Sequence, residues 1–387
     1  MNLSADLKRR YTSEQLSARE AQRQAEFIAW APVVFQVSRL MLKFGILKLL
    51  RDSDLREAPE HQLERKNGLT EAEVAEKTGL SRYAVKCLLE ASLSIGIVLI
   101  DTETDRYSIS KTGWFLMNDP ATRVNIDFNH DVNYLGLFNL EEALKEGKPA
   151  GLKHFGDWTT IYEGLSSLPK QVQDSWFGFD HFYSDSSFPE ALRIVFDEHD
   201  VRSLYDVGGN TGKWAMQCVE YNKDVEVTVL DLPQQIKMMQ ENIKGKPGAD
   251  RIKGFGIDLL NKEASFPKRQ GGLDAIWMSQ FLDCFSEEEI VSILKRAKEA
   301  MDSGTKLFIM ETFWDRQRFE PAALCLTMTS LYFTAMANGN SKMYHSDDMK
   351  RLIQLAGLEI ENIYDGLGQG HSIVQCAMNN GQLKIDN

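Results

Sequence analysis

The chain has 387 residues, and its 56 acidic and 44 basic side chains give a net charge of −12. At roughly 100 to 200 residues per domain, this length predicts two or three domains. The acidic balance argues against nonspecific binding to nucleic acid or to anionic membranes. Five cysteines lie far apart, without a CxxC or Cys/His cluster, so we expect neither a disulfide scaffold nor a metal site. The charged N-terminal segment does not resemble a signal peptide, and no run reaches the roughly 18 apolar residues of a membrane span. We therefore expect a cytoplasmic protein.

Apolar residues recur at intervals of three and four from Ala25 to about Arg51. This spacing predicts a helix with an unusually wide apolar face. Such a helix either lies at the centre of its domain or packs on a second subunit. We favour the second arrangement and predict a homodimer.

Two short helices around a turn are predicted between residues 67 and 100, followed by a hairpin in IDTETDRYSIS. Thr70 and Glu73 form a capping box for the first helix, and Ser81 can cap the second. The order helix, turn, helix, hairpin is typical of a winged helix. Because the second helix offers only Arg82 and Lys86 as cations, we favour a dimerising role over DNA binding and expect no nucleic-acid partner.

The rest of the chain divides into an aromatic-rich helical segment and a region in which apolar strands and helices alternate from Val201 onward. The aromatic segment is interpreted either as a packed linker layer or as the wall of a pocket for a flat apolar molecule. The predicted domains are a winged-helix dimerisation domain (1–118), a helical connecting region that contributes to the substrate pocket (119–199) and an α/β domain (200–387).

The α/β domain is predicted to contain a parallel, doubly wound sheet, because its strands alternate with helices. The predicted strands are SLYDVGG, VEVTVLDL, IKGFGIDLL, LDAIWMSQF, KLFIMETFW and HSIVQCAM.

A glycine-rich turn follows the first of these strands in DVGGNTGK. Glycines there, beginning with Gly208, let the backbone turn tightly and approach a ligand at the carboxyl edge of the sheet. Asp231 ends the second strand, where a carboxylate can accept hydrogen bonds from a ribose diol. Asp258 ends the third predicted strand, where it can accept from an adenine amino group while Leu259 packs on the ring. Because carboxylates repel pyrophosphate, this set suits a cationic nucleoside cofactor that bears an amino acid.

DVGGNTG, VLDLP, GIDLL and MSQFLDCFSEEE, behind a winged helix, resemble the class I S-adenosylmethionine-dependent O-methyltransferases of plant phenolic and bacterial polyketide type. The resemblance implies a Rossmann-like catalytic domain and S-adenosylmethionine as cofactor. It implies that Gly208 lies under the methionine part, that Asp231 binds the ribose, and that Asp258 and Leu259 hold the adenine. Ser279, which stands where the family has a Lys, is placed with these cofactor contacts.

The catalytic segment departs from the family pattern. Asp283 stands at the position of the His that removes the substrate's hydroxyl proton, and Glu311 matches one of the two Glu residues that orient this His. Met343 replaces the second Glu. Since an ordinary Asp has a pKa of roughly 3.9 against roughly 6.5 for His, Asp283 is a weak base unless burial raises its pKa.

Three interpretations of the catalytic step remain open at this point. In the first, Asp283 is the base and Glu311 supports it. In the second, another histidine acts, either His181 in the aromatic segment or His371 in the loop GLGQGH. In the third, positioning of an ionised nucleophile supplies most of the rate.

The leading hypothesis is O-methylation of a small aromatic or polyketide-like hydroxyl. One alternative keeps the cofactor but methylates carbon or nitrogen, or runs a non-methylating reaction. A second alternative is a ligand-sensing DNA-binding regulator that uses the winged helix.

Overall fold

The computed structural model describes residues 3–54 and 68–379. The helices in chain order are α1 (Ala5–Thr12), α2 (Ala18–Ala29), α3 (Ala31–Lys43), α4 (Ile46–Asp54), α5 (Glu71–Thr78), α6 (Arg82–Ser94), α7 (Lys111–Asn118), α8 (Pro120–Phe128), α9 (Leu140–Glu146), α10 (Ile161–Gly164), α11 (Lys170–Asp185), α12 (Phe188–Phe196), α13 (Lys213–Tyr221), α14 (Pro233–Ile243), α15 (Glu287–Glu299), α16 (Glu320–Tyr332) and α17 (Ser346–Leu355). The strands are β1 (Val98–Asp101), β2 (Arg106–Ile109), β3 (Ser203–Val207), β4 (Glu226–Asp231), β5 (Ile252–Gly256), β6 (Ala275–Ser279), β7 (Lys306–Glu311), β8 (Leu358–Leu367) and β9 (His371–Met378).

The chain forms two compact units. One comprises Glu14–His130, and the other comprises Met1–Ser13 together with Asp131–Asn387. The three-part division predicted at residues 118 and 199 stays a prediction.

In the first unit, the prediction of one helix from Ala25 to about Arg51 is wrong, because the segment is divided among α2, α3 and α4. Pro32 lies in the first turn of α3, and a proline inside a continuous helix would lose a hydrogen bond and clash with the preceding turn. Gly45 separates α3 from α4 with a φ of 71°, a left-handed conformation that ends helices.

Within the described residues, no single helix has the length and apolar character of a membrane span. The pair α2 and α3, bent by 75°, meets the length and composition of a span only when both helices are counted together. The cytoplasmic location stays a prediction.

The winged-helix elements of this unit are confirmed. Thr70 and Glu73 form the capping box of α5, and the Ser81 side chain accepts from the Ala84 N–H at the start of α6. Strands β1 and β2 pair antiparallel. The buried side chains of α4, α5 and α6 pack with this hairpin in one apolar cluster that includes Leu47, Val74 and Leu89.

The second unit contains a seven-stranded sheet with the order β5-β4-β3-β6-β7-β9-β8. The first five strands in this order are parallel, whereas β9 is antiparallel to β7 and β8 is antiparallel to β9. The prediction of a wholly parallel sheet is therefore wrong for its last two strands. The sequence prediction also did not include β8. This edge strand has mixed polar and apolar residues and two register shifts, at Ile360/Asn362 and Asp365/Leu367.

Apolar cores cover both faces of this sheet. Along β6, Ile276 and Met278 pack into one core, while Ala275 and Trp277 pack into the other, as the two-residue period of a strand requires. The chain runs from β3 outward to β4 on one side and returns to β6 on the other. This reversal of strand order is where ligands bind in open α/β sheets, at the carboxyl ends of the strands.

Candidate active site

The glycine turn joins β3 to α13 at this edge. Gly208 has a φ of 73°, and its N–H donates to the Leu230 carbonyl over 2.8 Å. A Cβ atom at position 208 would lie 2.3 Å from the ring of Phe281, which follows β6. Only glycine fits here, and the turn after β3 packs directly on the segment after β6.

Asp231 ends β4 and is tied to the same turn. Its carboxylate accepts from the Asn210 N–H over 2.9 Å and from the Leu232 N–H over 2.7 Å. Burial raises the pKa of Asp231, while the two backbone donors lower it. The structure thus brings Gly208 and Asp231 together. The ribose-binding role of Asp231 stays a prediction.

Asp206 is the last residue but one of β3. It is 2% exposed, and its Oδ2 has no hydrogen-bond partner among the described residues. Burial and the neighbouring charge of Asp231 raise the pKa of Asp206 to about 8.

Asp258 and Leu259 lie beyond β5 rather than in it. The strand ends at Gly256, two residues earlier than predicted, and the exposed Asp258 accepts from the Leu260 N–H over 2.9 Å. Leu259 is buried, and its carbonyl accepts from the Arg296 guanidinium over 2.6 Å. Ser279 is the last residue of β6. The adenine contacts of Asp258 and Leu259 stay predictions.

The groups at this edge suit a positively charged nucleoside. Asp206 and Asp231 are close enough for one charge to raise the pKa of the other, and Asn210 leaves a buried Oδ1 without a partner in the described part of the chain. Unpaired acceptors favour hydroxyl and amino donors, and clustered carboxylates favour a cation.

Residues 22–107 match the family described as Dimerisation2-like domain, and residues 187–359 match the O-methyltransferase domain. Together these matches cover about two thirds of the chain. The chain belongs to the S-adenosylmethionine-dependent O-methyltransferases. The predicted family, fold class, enzyme class and cofactor, S-adenosylmethionine, are thereby confirmed.

Two relatives match most of the enzyme. The L-tyrosine C(3)-methyltransferase of Streptomyces lavendulae is 23% identical over 303 residues, which are 77% of this chain and 80% of the relative. The bacteriochlorophyllide d C-20 methyltransferase of Chlorobaculum tepidum is 24% identical over 288 residues, 71% of this chain and 76% of the relative.

Among solved structures, the O-methyltransferase NcsB1 of neocarzinostatin biosynthesis, in complex with S-adenosyl-L-homocysteine and 1,4-dihydroxy-2-naphthoic acid, has a TM-score of 0.61. It is 18% identical, and the match covers 89% of this chain and 96% of NcsB1. This likeness concerns the fold.

Glu311, at the end of β7, holds the turn that carries Asp283. Its Oε1 accepts from the N–H groups of Phe281 and Leu282 over 3.1 and 2.9 Å. Burial and the charge of Asp283 raise the pKa of Glu311 well above its ordinary value, although the backbone donors oppose this. Glu311 therefore positions the backbone of the turn. Its hydrogen bonds go to backbone N–H groups and not to the Asp283 side chain.

Asp283 lies in the short 3-10 turn Leu282–Cys284 and is 5% exposed. The Cys284 thiol donates to its Oδ1 over 3.5 Å. Burial raises the pKa of Asp283 to about 6, despite the opposing effect of the thiol. Burial therefore brings the basicity of the Asp283 carboxylate close to that of an imidazole.

The two histidines occupy different surroundings. His181 lies on α11, with its ring stacked on Phe177 at 6.0 Å, and its charge acts on the adjacent Asp180. His371 is fully buried, its Nδ1 lies 2.9 Å from the Ser187 hydroxyl, and burial lowers the pKa of His371 to about 4. His371 is thus a poor proton acceptor. Met343, at the position of the second family Glu, is buried, and its sulfur accepts from Thr312 over 3.9 Å.

Two tyrosines, on α10 and α16, lie within electrostatic reach of Asp283, and a tryptophan of α11 contacts the second of them. The Trp176 indole N–H donates to the Tyr332 hydroxyl over 2.7 Å. Burial raises the pKa of Tyr162 and of Tyr332, and the charge of Asp283 adds to both effects. Tyr332 is a further residue that the sequence predictions did not include, because α16 is separated from the catalytic segment in the chain.

Proposed function

We propose that the enzyme transfers a methyl group from S-adenosylmethionine to a hydroxyl oxygen of a small aromatic acceptor, with Asp283 as the base. The observation that carries this proposal is a buried carboxylate with a pKa near 6, two residues from the Phe281 ring that covers the glycine turn. The aromatic surroundings of Asp283 support a flat acceptor.

The predicted residues have different roles in the proposed reaction. Gly208, Asp231, Asp258, Leu259 and Ser279 would hold the cofactor, which supplies, when bound, a methyl group activated by a sulfonium charge. Asp283 takes the hydroxyl proton on a carboxylate oxygen, so that the acceptor oxygen becomes the nucleophile. Glu311 holds the Asp283 turn in place by accepting hydrogen bonds from the N–H groups of Phe281 and Leu282. His181 remains the second candidate for the base.

The local charges around the winged helix support an enzyme over a DNA-binding regulator. Arg82 pairs with Glu71 at 3.1 Å, and Lys86 lies 3.9 Å from Glu90. Each cation therefore has a carboxylate beside it, which weakens attraction to phosphates. The absence of a nucleic-acid partner stays a prediction.

Asp283→Asn tests the base. We expect it to lower the methylation rate about 10²- to 10⁴-fold, the usual contribution of a general base, while the affinity for S-adenosylhomocysteine measured by calorimetry stays within about twofold. The wild-type rate is expected to rise with pH through about 6, because Asp283 must be unprotonated to accept the proton. A panel of simple phenols, including L-tyrosine, serves as acceptor, and release of S-adenosylhomocysteine is the readout.

Two controls separate the steps. Asp231→Ala should abolish binding of S-adenosylhomocysteine, and His181→Gln should keep the pH profile. Full activity of Asp283→Asn would show that this carboxylate is not the base and would favour His181. Failure of the wild type to bind S-adenosylhomocysteine would reject the assignment of the cofactor site.

Carbon methylation is the second candidate, because two of the relatives that match more than two thirds of the chain are named as methyltransferases acting on carbon. The same base can serve it, since removal of a phenolic proton also makes the adjacent ring carbons nucleophilic. A ¹³C-labelled methyl donor distinguishes the products, because O-methyl and C-methyl carbons resonate in separate ranges of the NMR spectrum.

A further inference from the structure

Asp180 lies on the face of α11 that points toward the proposed base. It follows Trp176 by four residues, so both side chains share one face of the helix, and the Trp176 indole on that face donates to Tyr332 of α16. Burial raises the pKa of Asp180 to about 6, the charge of His181 opposes this, and the charge of Asp283 adds to it. Asp180 is therefore within electrostatic reach of Asp283.

The Asp180 carboxylate has no hydrogen bond or ion pair with any other residue within 3–54 and 68–379. The charge of Lys213 acts on Asp180, but Lys213 is paired with Asp185. Asp180 nevertheless keeps part of its surface accessible. A ligand can therefore reach the Asp180 carboxylate, and a cationic hydrogen-bond donor would bind it most strongly.

Asp283 and Glu311 are two further carboxyl groups in the surroundings of the proposed base. Asp283 is 5% exposed and Glu311 is 2% exposed, and neither forms an ion pair in the described part of the chain. The Oε2 atom of Glu311 has no hydrogen-bond partner there. An anionic acceptor would be repelled by this set, whereas a cationic one would be attracted. The rings of Trp176 and Tyr332 add faces against which an ammonium group can pack.

We propose that Asp180 is a specificity-determining residue that binds the ammonium group of an aromatic amine acceptor. This inference rests on the proposed function, because it assigns the substrate class of the same site. The acceptor carries a hydroxyl or ring carbon at Asp283 and an amine at Asp180.

Three phenols that differ only in the charge of their side chain test the inference. Tyramine is cationic, 2-(4-hydroxyphenyl)ethanol is neutral, and 3-(4-hydroxyphenyl)propionate is anionic. Binding of each to the complex with S-adenosylhomocysteine is measured by calorimetry near neutral pH. We expect the wild type to bind tyramine about 10- to 100-fold more tightly than the neutral phenol and to bind the anion most weakly.

Asp180→Asn should remove this preference while its affinity for S-adenosylhomocysteine stays unchanged. The matched control is Asp174→Asn, which removes a carboxylate from the exposed side of the same helix, where it pairs with Lys170, and which should keep the preference. Thermal unfolding with S-adenosylhomocysteine verifies that both variants are folded.

Equal binding of the three phenols to the wild type, binding of none of them, or a preference that survives in Asp180→Asn would each overturn the inference. So would a loss of S-adenosylhomocysteine affinity in Asp180→Asn, because the ammonium group would then belong to the cofactor. All these outcomes require that the wild type binds S-adenosylhomocysteine. Absence of that binding would instead reject the proposed function.

Discussion

In the proposed mechanism, Asp283 takes the place of an imidazole because its surroundings raise its pKa. In water, a carboxylate with a pKa of roughly 3.9 is a weak acceptor for a phenolic proton. In the turn after β6 it is 5% exposed, and burial raises its pKa to about 6. The sequence shows Asp283 at the position of the family's histidine. The burial that raises its pKa comes from residues of other elements.

The raised pKa of Asp206 should make the free energy of unfolding depend on pH. The folded chain binds the proton of Asp206 more tightly than the unfolded chain, since burial and the charge of Asp231 raise its pKa from 3.8 to about 8. Its contribution to the free energy of unfolding is fully present below pH 3.8 and is lost as the pH rises through about 8. The loss should be on the order of a few kcal/mol.

Asp206→Asn cannot ionise, so we expect its free energy of unfolding to fall less than that of the wild type between about pH 5 and about pH 8. Urea unfolding at both values, without cofactor, measures the difference. Parallel behaviour of the two proteins would mean that Asp206 titrates with an ordinary pKa. Glu226→Gln, which changes a carboxylate at the other end of the neighbouring strand β4, serves as the control.

At the scale of elements, the N-terminal helices show why spacing alone did not predict their boundaries. The apolar period continues across Trp30 and Gly45, yet the backbone changes direction at both places. Three short helices can present apolar residues at the same sequence intervals as one long helix. Pro32 and Gly45 were the local signals for the breaks.

Gly45→Ala tests the break between α3 and α4. Beyond its chain neighbours, no atom of the described residues lies within 4 Å of the position that a Cβ would occupy, so the substitution acts through its φ of 71°. We expect a loss of about 1–2 kcal/mol in the free energy of unfolding, the cost of a left-handed conformation for an ordinary residue. Gly45→Asn should lose clearly less, because Asn tolerates this conformation better. Equal losses in the two variants, measured by urea unfolding, would contradict this explanation.

At the scale of the whole molecule, we propose a homodimer formed through α2 and α3. Ile28 and Trp30 are 63% and 61% exposed, and Phe27 and Val33 add to the apolar surface of the same helices. An apolar surface of this extent is typical of a protein interface. The match of residues 22–107 to a dimerisation domain supports the proposal.

Sedimentation velocity should show the wild type at twice the chain mass at micromolar concentration. Ile28→Asp should raise the dissociation constant at least about tenfold, because a carboxylate would be buried in an apolar interface. The control is Leu355→Asp, at an equally apolar and 56% exposed position of α17 in the other unit, which should remain dimeric. A monomeric wild type, or equal effects of the two substitutions, would contradict an interface at α2 and α3.

The sequence by itself determined the features that depend on neighbouring residues. The capping box at Thr70, the glycine turn at Gly208 and the acidic end of β4 at Asp231 are encoded over a few positions. The parallel strands β3 to β7 were also predictable, because strand-like segments with apolar residues are separated from one another by helical or loop residues.

Only the tertiary structure decided what depends on distant parts of the chain. The antiparallel edge strand β8 is stabilised by its pairing with β9, which its mixed sequence does not specify. Asp180, Tyr332 and Asp283 are separated by about 50 to 150 positions, yet the charge of Asp283 acts on the pKa of the other two, and the charge of Asp180 acts on the pKa of Tyr332. A pKa is set by burial and by nearby charges, so the basicity of Asp283 and the unpaired charge of Asp180 follow from the packing of α11 and α16 around the turn after β6.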